Sequence, residues 1–327
     1  MGSLRRDAGF GNGGRTVILN LVVPCYNEEP VLPETARRLV VLIDHMVKDG
    51  IVAEESGVYF VDDGSSDRTW DIICALRATR PERFHGIKLS RNCGHQAALL
   101  AGLRNTPGDA LISIDADLQD DIDVIPTMVR QCQSGHDIVY GVRGGRQSDT
   151  LFKRHSAGAY YRLLRALGVN VVLDHADFRL MTRRALIALE RYPEVNIFLR
   201  ALVPLLGFRT TNVYYNRSPR FAGVSKYPLR RMLALAIDGI TSFSMRPLRL
   251  ISYCGLIMSL VSAMIGAWAM YVALLTNRGV PGWASIVVPI ALVGGLQLAS
   301  LGVIGEYVGK IYLEVKRRPL YEIEDIR

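Results

Sequence analysis

The sequence is poor in cysteine, and its first residues lack an apolar segment. Its 327 residues include five cysteines, and none of them shows the paired spacing of a zinc site. The basic, glycine-rich stretch from Met1 to Arg15 contains no apolar core of a secretory signal. We therefore expect the large domain to stay in the reducing compartment where it is made, with its cysteines as free thiols.

The C-terminal third of the chain lacks charge over two long runs. No charged residue lies between Arg249 and Arg278, and none lies between Arg278 and Glu306. Because a helix of roughly 20 apolar residues crosses a bilayer, we predict transmembrane helices at 249–275 and 284–307. Basic residues flank their outer ends, whereas the turn between them carries only Arg278, which predicts that both chain ends lie in the cytoplasm. A buried hairpin in a soluble core is the alternative.

The chain has a formal net charge of +8. Such a charge fits either nucleic acid or anionic lipid. Much of the basic excess lies beside the two apolar runs, which favours a membrane surface and argues against a nucleic-acid partner.

Apolar strands alternate with helices from Thr16 onward, which predicts an α/β fold with a mainly parallel sheet. In such sheets ligands bind at the carboxyl ends of the strands. The predicted strands are 17–23, 58–61, 86–89, the strand from Leu111, 137–140 and 177–181, and the predicted helices are 29–46, 67–78 (capped by Asp67), 96–103 and 157–167.

Polar motifs follow four consecutive predicted strands. They begin at Pro24, Asp62, Ser90 and Asp115. Asp115 and Asp117 are one residue apart at a strand end, where two carboxylates repel each other unless they are solvated or share a cation. A hard divalent ion takes one or two carboxylates and completes its shell with water and phosphate oxygens. The pair therefore predicts an Mg²⁺ or Mn²⁺ site for a nucleotide diphosphate, against the simpler interpretation of a solvated surface turn.

These motifs resemble those of the inverting family 2 glycosyltransferases, which have the GT-A fold. The motifs are Val23-Pro-Cys-Tyr-Asn-Glu-Glu, Val61-Asp-Asp-Gly-Ser-Ser-Asp, Leu89-Ser-Arg-Asn-Cys-Gly-His-Gln and Asp115-Ala-Asp-Leu-Gln. With the apolar C-terminal runs and the closing Gly305-Glu-Tyr-Val-Gly-Lys segment, the chain is most similar to the polyprenyl-phosphate glycosyltransferases of the bactoprenol glucosyltransferase branch, and more distantly to dolichol-phosphate mannose synthase.

The resemblance implies a donor site in the first half of the chain. It assigns the nucleotide to Pro24, Tyr26, Glu28 and Asp63, and the metal and donor diphosphate to Asp115, Asp117 and Gln119, with Asp117 as a catalytic residue. Where many family members have a proline, this chain continues with the acidic run Asp120 to Asp123. Arg220 and Lys226, six residues apart, match the cations that cover the donor phosphates.

The resemblance also implies an acceptor site. The lipid phosphate is assigned to Arg143, Lys153, Arg154 and Ser156, and Arg143 is also assigned a catalytic role. The family's arginine four residues before the serine is Phe152 here, so Lys153 or Arg154 must replace it. Asp177 either acts as a base or orients the acceptor, and orientation is favoured because a phosphate monoester is already largely a dianion at neutral pH. A structural or solvated role is favoured for His95, His155 and His175.

We therefore predict a membrane-anchored enzyme of the bacterial inner membrane. Its domains are a flexible tail (1–15), a GT-A domain (16–227), a juxtamembrane amphipathic segment (228–248), the two transmembrane helices and a cytoplasmic tail (308–327). The resemblance implies transfer of a hexose, with UDP-glucose as the expected donor, to a polyprenyl phosphate by a homo-oligomer.

The alternatives are another donor, a processive polysaccharide synthase or a nucleotide-binding scaffold. The other donors are UDP-N-acetylglucosamine, a UDP-formamido-arabinose and GDP-mannose. The synthase is disfavoured because none of the three tryptophans follows an arginine.

Overall fold

The computed structural model describes residues 16–144, 175–195, 199–216, 246–275 and 284–327. The chain divides into two units. One is an α/β unit, which includes the described residues up to 216 together with 318–327. The other contains the two long apolar helices.

The α/β unit is built on an eight-stranded sheet, which confirms the predicted mainly parallel α/β architecture. The strands are β1 (Leu19–Cys25), β2 (Gly57–Asp62), β3 (Phe84–Leu89), β4 (Ala110–Ser113), β5 (Ile138–Arg143), β6 (His175–Thr182), β7 (Thr210–Tyr215) and β8 (Ile323–Ile326). Their order across the sheet is β7, β5, β6, β4, β1, β2, β3, β8. β1 pairs in parallel with β2 and β4, β2 with β3, and β5 with β7, whereas β6 and β8 pair antiparallel with their neighbours.

The helices of the α/β unit are α1 (Leu32–Lys48), α2 (Thr69–Thr79), α3 (His95–Asn105), α4 (Ile125–Gln133), α5 (Arg183–Glu190) and α6 (Leu199–Leu205). Helix α1 begins at Leu32 and not at the predicted Glu29, because Pro30 disfavours helical backbone at the residue before it. The N-cap of α2 is Arg68 and not Asp67, although the Asp67 carboxylate accepts a hydrogen bond from the Thr69 N–H (3.0 Å).

The central strands are apolar and buried on both faces. All seven residues of β1 are buried, and Leu19, Leu21 and Val23 belong to the main core. Helix α1 covers this core with Leu32, Leu39 and Ile43, which recur at helical spacing. Burial of apolar side chains therefore stabilises the sheet, and the polar residues lie at the strand ends.

The C-terminal residues 323–326 form strand β8, which pairs antiparallel with β3 at the edge of the sheet. Gly86 and Arg327 exchange two backbone hydrogen bonds (2.7 and 2.8 Å), and the Ser90 N–H donates to the Glu322 carbonyl (3.0 Å). Residues 308–327, which the sequence predicts as a tail, thus complete helix α8 and then return to the α/β unit.

The second unit contains helices α7 (Arg246–Leu275) and α8 (Ala284–Lys316). Among the described residues, one segment, Leu292–Lys316, is long and apolar enough to cross a membrane. It overlaps the second predicted transmembrane helix. The first predicted span lies within α7, whose membrane crossing stays a prediction. The predicted amphipathic segment 228–248 lies outside the described residues except for its last three positions.

Candidate active site

The loops after β1 and β2 contact each other directly. Asn27 adopts a positive φ of 54°, a conformation that asparagine tolerates better than most residues. Its side-chain oxygen accepts hydrogen bonds from the Ser66 N–H (2.8 Å) and the Asp67 N–H (3.4 Å). The Glu28 N–H donates to the Thr69 hydroxyl (2.9 Å). The polar residues at these strand ends therefore converge, as the sequence predicts.

Asp63 joins the β2 loop to the loop after β3. Its two carboxylate oxygens accept hydrogen bonds from the backbone N–H groups of Cys93 (2.7 Å) and Gly94 (2.9 Å). Burial raises the pKa of Asp63, and these two hydrogen bonds oppose that shift. The described contacts of Asp63 are structural, and its predicted role in nucleotide binding stays a prediction.

The loop after β4 alternates buried apolar residues with polar ones. Ala116 and Leu118 are buried, whereas Asp115 and Asp117 are partly exposed. Thr35 of α1 donates a hydrogen bond to the Ala116 carbonyl (2.7 Å). Leu118 has a φ of 56°, which is strained for a residue with a branched side chain. Buried side chains thus hold a strained loop in which two carboxylates stay accessible.

Asp115 lies in a strongly acidic environment. Burial raises its pKa to about 6, His95 opposes this shift, and the charges of Asp120, Asp177 and Asp117 add to it. A partly exposed carboxylate under such repulsion favours uptake of a cation. Among the described residues, no group of three or more His, Cys, Asp or Glu side chains is arranged to hold a metal. Two aspartates nevertheless fit an ion whose remaining ligands are waters and phosphate oxygens.

Asp177, on β6, is the centre of a buried polar cluster. Its carboxylate accepts hydrogen bonds from Arg179 Nη2 (2.5 Å), from Gln96 Nε2 (3.1 Å) and from Nε and Nη2 of Arg200 (3.4 and 3.2 Å). Burial alone would raise the pKa of Asp177, but the hydrogen bond with His95 and the charges of Arg179 and Arg200 hold that pKa well below its usual range. A carboxylate stabilised in this way is a poor base, which favours the orienting role for Asp177.

His95 lies between the acidic loop and this cluster. Its Nε2 is 3.6 Å from Asp115 Oδ1 and 3.3 Å from Asp177 Oδ2. Burial lowers the pKa of His95, but its contact with Asp177 and the charge of Asp115 outweigh burial and raise that pKa. The structural or solvated role expected for His95 stays a prediction, and the structure adds its contacts with the two aspartates. His155 lies outside the described residues, and so does the side chain of His175.

Arg143, at the end of β5, pairs with a different aspartate. Its Nη2 donates to Asp120 Oδ1 (3.1 Å) and its Nε donates to the Tyr215 hydroxyl (3.3 Å), which itself donates to Asp120 Oδ1. The Asp120 side chain is 1% exposed and that of Arg143 is 31% exposed. The structure thus connects the acidic loop to the ends of β5 and β7. Sequence reasoning treated Asp120 only as a departure from the family pattern and missed Tyr215.

The remaining predicted donor residues lie on the β1 and β4 loops. Pro24 is buried within β1, Tyr26 is 47% exposed beside it, and Glu28 is partly buried. Gln119 is buried, and its N–H donates to Asp117 Oδ1 (3.2 Å). The predicted residues Lys153, Arg154, Ser156, Arg220 and Lys226 lie outside the described residues.

Comparisons with known proteins find several relatives. The family model for glycosyl transferase family 2 matches residues 20–189. An uncharacterized glycosyltransferase of Bacillus subtilis (strain 168), YkoT, is 49% identical over 94% of this chain and 91% of its own length. The bactoprenol glucosyl transferase of Shigella phage SfX is 39% identical over 94% of this chain and 98% of its own length.

Solved structures show a more distant likeness. Mannosyl-3-phosphoglycerate synthase from Rubrobacter xylanophilus is 15% identical, with a TM-score of 0.47, over 83% of this chain and 80% of its own.

Proposed function

Because the chain belongs to glycosyl transferase family 2 and is a glycosyltransferase, we propose that it transfers glucose from UDP-glucose to a polyprenyl phosphate at the cytoplasmic face of the membrane. The observation that carries the proposal is the placement of an acidic pair, Asp115 and Asp117, beside a cluster of cations around Asp177. Relatives that cover nearly the whole chain include several named bactoprenol glucosyl transferases, which supports the acceptor class.

The loops after β1, β2 and β4 would bind the donor. Tyr26 offers an exposed aromatic ring for the base, and Asp115 and Asp117 would hold a divalent cation, Mg²⁺ or Mn²⁺. When bound, that cation neutralises negative charge on the leaving diphosphate. Arg220 and Lys226 would close over the same phosphates.

The acceptor phosphate would attack directly. One of its oxygens forms a bond to the anomeric carbon while the bond from that carbon to the UDP oxygen breaks, and the electron pair leaves with UDP. The configuration at the anomeric carbon is inverted, and no covalent enzyme intermediate forms. The phosphate dianion needs no strong base, which agrees with the lowered pKa of Asp177. The protein contributes proximity and electrostatic stabilisation.

The apolar helices would keep the enzyme at its lipid substrate. The segment Leu292–Lys316 supports membrane association, and we propose that α7 forms a second crossing, with both chain ends cytoplasmic, in the inner membrane of a bacterium. We also propose that the enzyme forms a homo-oligomer.

A donor panel tests the proposal. The purified full-length protein is incubated in lipid nanodiscs with polyprenyl phosphate, Mg²⁺ and one labelled donor at a time, and lipid-linked sugar is extracted. We expect product from UDP-glucose. Product from another nucleotide sugar alone would replace glucose in the proposal. Label found only in long polymer would favour a processive synthase, and nucleotide binding without turnover would favour a scaffold.

Asp117→Asn tests the metal pair. The change removes one charge from a partly exposed side chain, so we expect turnover to be lost while the melting temperature stays within about 2 °C of the wild type. Asp123→Asn, at an exposed position in the same acidic run, is the matched control and should stay active. An active Asp117→Asn variant would remove Asp117 from the site.

A further inference from the structure

Three side chains that can carry a positive charge contact the Asp177 carboxylate. Arg179 and Arg200 both donate to it, and His95 lies 3.3 Å from its Oδ2. The Arg179 side chain is 1% exposed, and its Nη1 donates a hydrogen bond to the Leu199 carbonyl (3.2 Å). Arg179 is therefore buried in the protein interior. Arg200 differs from it, because 39% of its side chain is exposed.

Asp177 holds Arg200 in a defined orientation. Nε and Nη2 of the guanidinium donate to the two different oxygens of the carboxylate, the paired geometry that fixes an arginine side chain. Asp177 is fixed in turn by Arg179 and by Gln96, whose side-chain oxygen accepts from the Leu199 N–H (3.2 Å). The exposed cation is thus held in place before any ligand arrives.

The position of Arg200 suits an anion that approaches the donor. His95 contacts Asp115 of the proposed metal pair on one side and Asp177 on the other. Arg200 also contacts Asp177, so it lies close to the proposed metal pair. From these contacts, and resting on the proposed function above, we propose that Arg200 binds the phosphate of the lipid acceptor and orients it toward the donor sugar.

The roles of the cluster members follow from this proposal. Arg200 touches the substrate, whereas Asp177, Arg179 and Gln96 are positioning residues that act through it. This arrangement gives Asp177 an essential role without making it a base. A lysine at position 200 would offer no paired donors for the carboxylate.

Kinetics of Arg200→Ala and Arg200→Lys test the proposal. We expect Arg200→Ala to raise KM for polyprenyl phosphate by about 10- to 100-fold, the loss that corresponds to hydrogen bonds to a charged group. KM for the sugar nucleotide should change less than about twofold, because the proposal assigns Arg200 to the acceptor and not to the donor. Arg200→Lys should recover part of the loss, since it keeps the charge. Arg191→Ala, which removes an arginine from an exposed position at the end of α5, is the matched control and should leave both KM values unchanged.

Two results would overturn the proposal. The first is an unchanged KM for polyprenyl phosphate in Arg200→Ala, which together with a lowered melting temperature would assign Arg200 a structural role. The second is a larger rise in KM for the sugar nucleotide than for polyprenyl phosphate. A wild-type protein that transfers nothing to polyprenyl phosphate would instead refute the proposed function, so the two failures are distinguishable.

Discussion

Tyr214 and Tyr215 are adjacent on β7 and have opposite environments. Tyr215 is 4% exposed and donates its hydroxyl hydrogen to Asp120, whereas Tyr214 is 67% exposed. Because one hydroxyl orients the Asp120–Arg143 pair and the other faces solvent, the two tyrosines offer a matched test of what that pair does.

Tyr215→Phe removes only the buried hydroxyl. Asp120 then loses a hydrogen bond, which costs about 1–3 kcal/mol, and Arg143 loses a contact that orients it. We expect a lower melting temperature together with a severalfold lower kcat/KM for polyprenyl phosphate, and no change in Tyr214→Phe. If Tyr215→Phe lowers only the melting temperature, the hydroxyl stabilises the fold and does not position Arg143 for catalysis.

Asp177→Asn should destabilise the protein. The change leaves the charge of the buried Arg179 without a full partner, and breaking a buried pair costs about 3–5 kcal/mol. We therefore expect a melting temperature clearly lower than that of Asp117→Asn. If Asp177→Asn had the melting temperature of the wild type, the Asp177 carboxylate would not stabilise the buried Arg179 as described.

The loss of melting temperature that Asp177→Asn causes relative to the wild type should depend on pH in a defined direction. Since the pKa of Asp177 is lowered in the folded protein, its contribution is fully present above the unfolded pKa of about 4 and is lost as the pH falls through the folded pKa. The difference in melting temperature between wild type and Asp177→Asn should thus persist from neutral pH to about pH 5, widening as His95, whose pKa Asp177 raises, becomes protonated, and should narrow below about pH 4. A difference that already narrows at pH 6 would contradict the lowered pKa.

At the residue scale, the sequence predicts some contacts and not others. Asp115 and Asp117 are recognisable because a spaced acidic pair follows an apolar strand. The partners of Asp177 are not, because Gln96 and Arg200 come from distant parts of the chain and only the folded sheet brings them together. Spacing along one sequence carries no signal for such contacts.

At the scale of elements, the β2 loop depends on a close approach at Gly64. Gly64 has a φ of +66°, and a Cβ there would lie 2.5 Å from the Arg91 carbonyl carbon and 2.6 Å from the Asn92 nitrogen. Gly50, after α1, has nearly the same φ of +67° but no atom within 4 Å of its Cβ position. The two glycines share a backbone conformation and differ in their neighbours.

Gly64→Ala should therefore be more harmful than Gly50→Ala. Both changes pay roughly 1 kcal/mol for the left-handed backbone, but only Gly64→Ala also pushes the β3 loop away from Asp63. We expect a larger fall in melting temperature and weaker UDP binding, measured by titration calorimetry, for Gly64→Ala alone. Equal effects of the two changes would mean that the close approach is unimportant.

Elements themselves are predicted unevenly. The buried strands β1 to β4 and the amphipathic α1 follow from apolar periodicity, with ends displaced by a few residues. Strand β8 escapes prediction because Ile323-Glu-Asp-Ile is short and acidic and forms a strand only by pairing with β3, far away in the sequence. The formation of β8 is therefore determined by the edge strand β3, with which it pairs, and not by its own sequence pattern.

At the scale of the whole molecule, the return of the chain to the sheet restricts the membrane topology. Strands β1 to β7 precede helices α7 and α8, and β8 follows them. Because one sheet lies on one side of a bilayer, any membrane crossings between β7 and β8 must be even in number.

If α7 and α8 both cross, as proposed above, residues 276–283 lie on the far side of the membrane. We expect alkaline phosphatase fused after residue 280 to be active in the periplasm and the same enzyme fused after residue 327 to be inactive. An inactive reporter at residue 280 would mean that the apolar helices do not cross, and an active one at residue 327 would contradict the single-sided sheet.

The pairing of β8 with β3 also has a consequence for biosynthesis. Residues 323–326 leave the ribosome after both apolar helices, so strand β3 keeps an open edge while the earlier part of the α/β unit can already fold. An open edge strand is a site of aggregation. The nascent enzyme therefore depends on prompt synthesis of strand β8, and a chain stalled or truncated before this strand is exposed to misassembly at that edge.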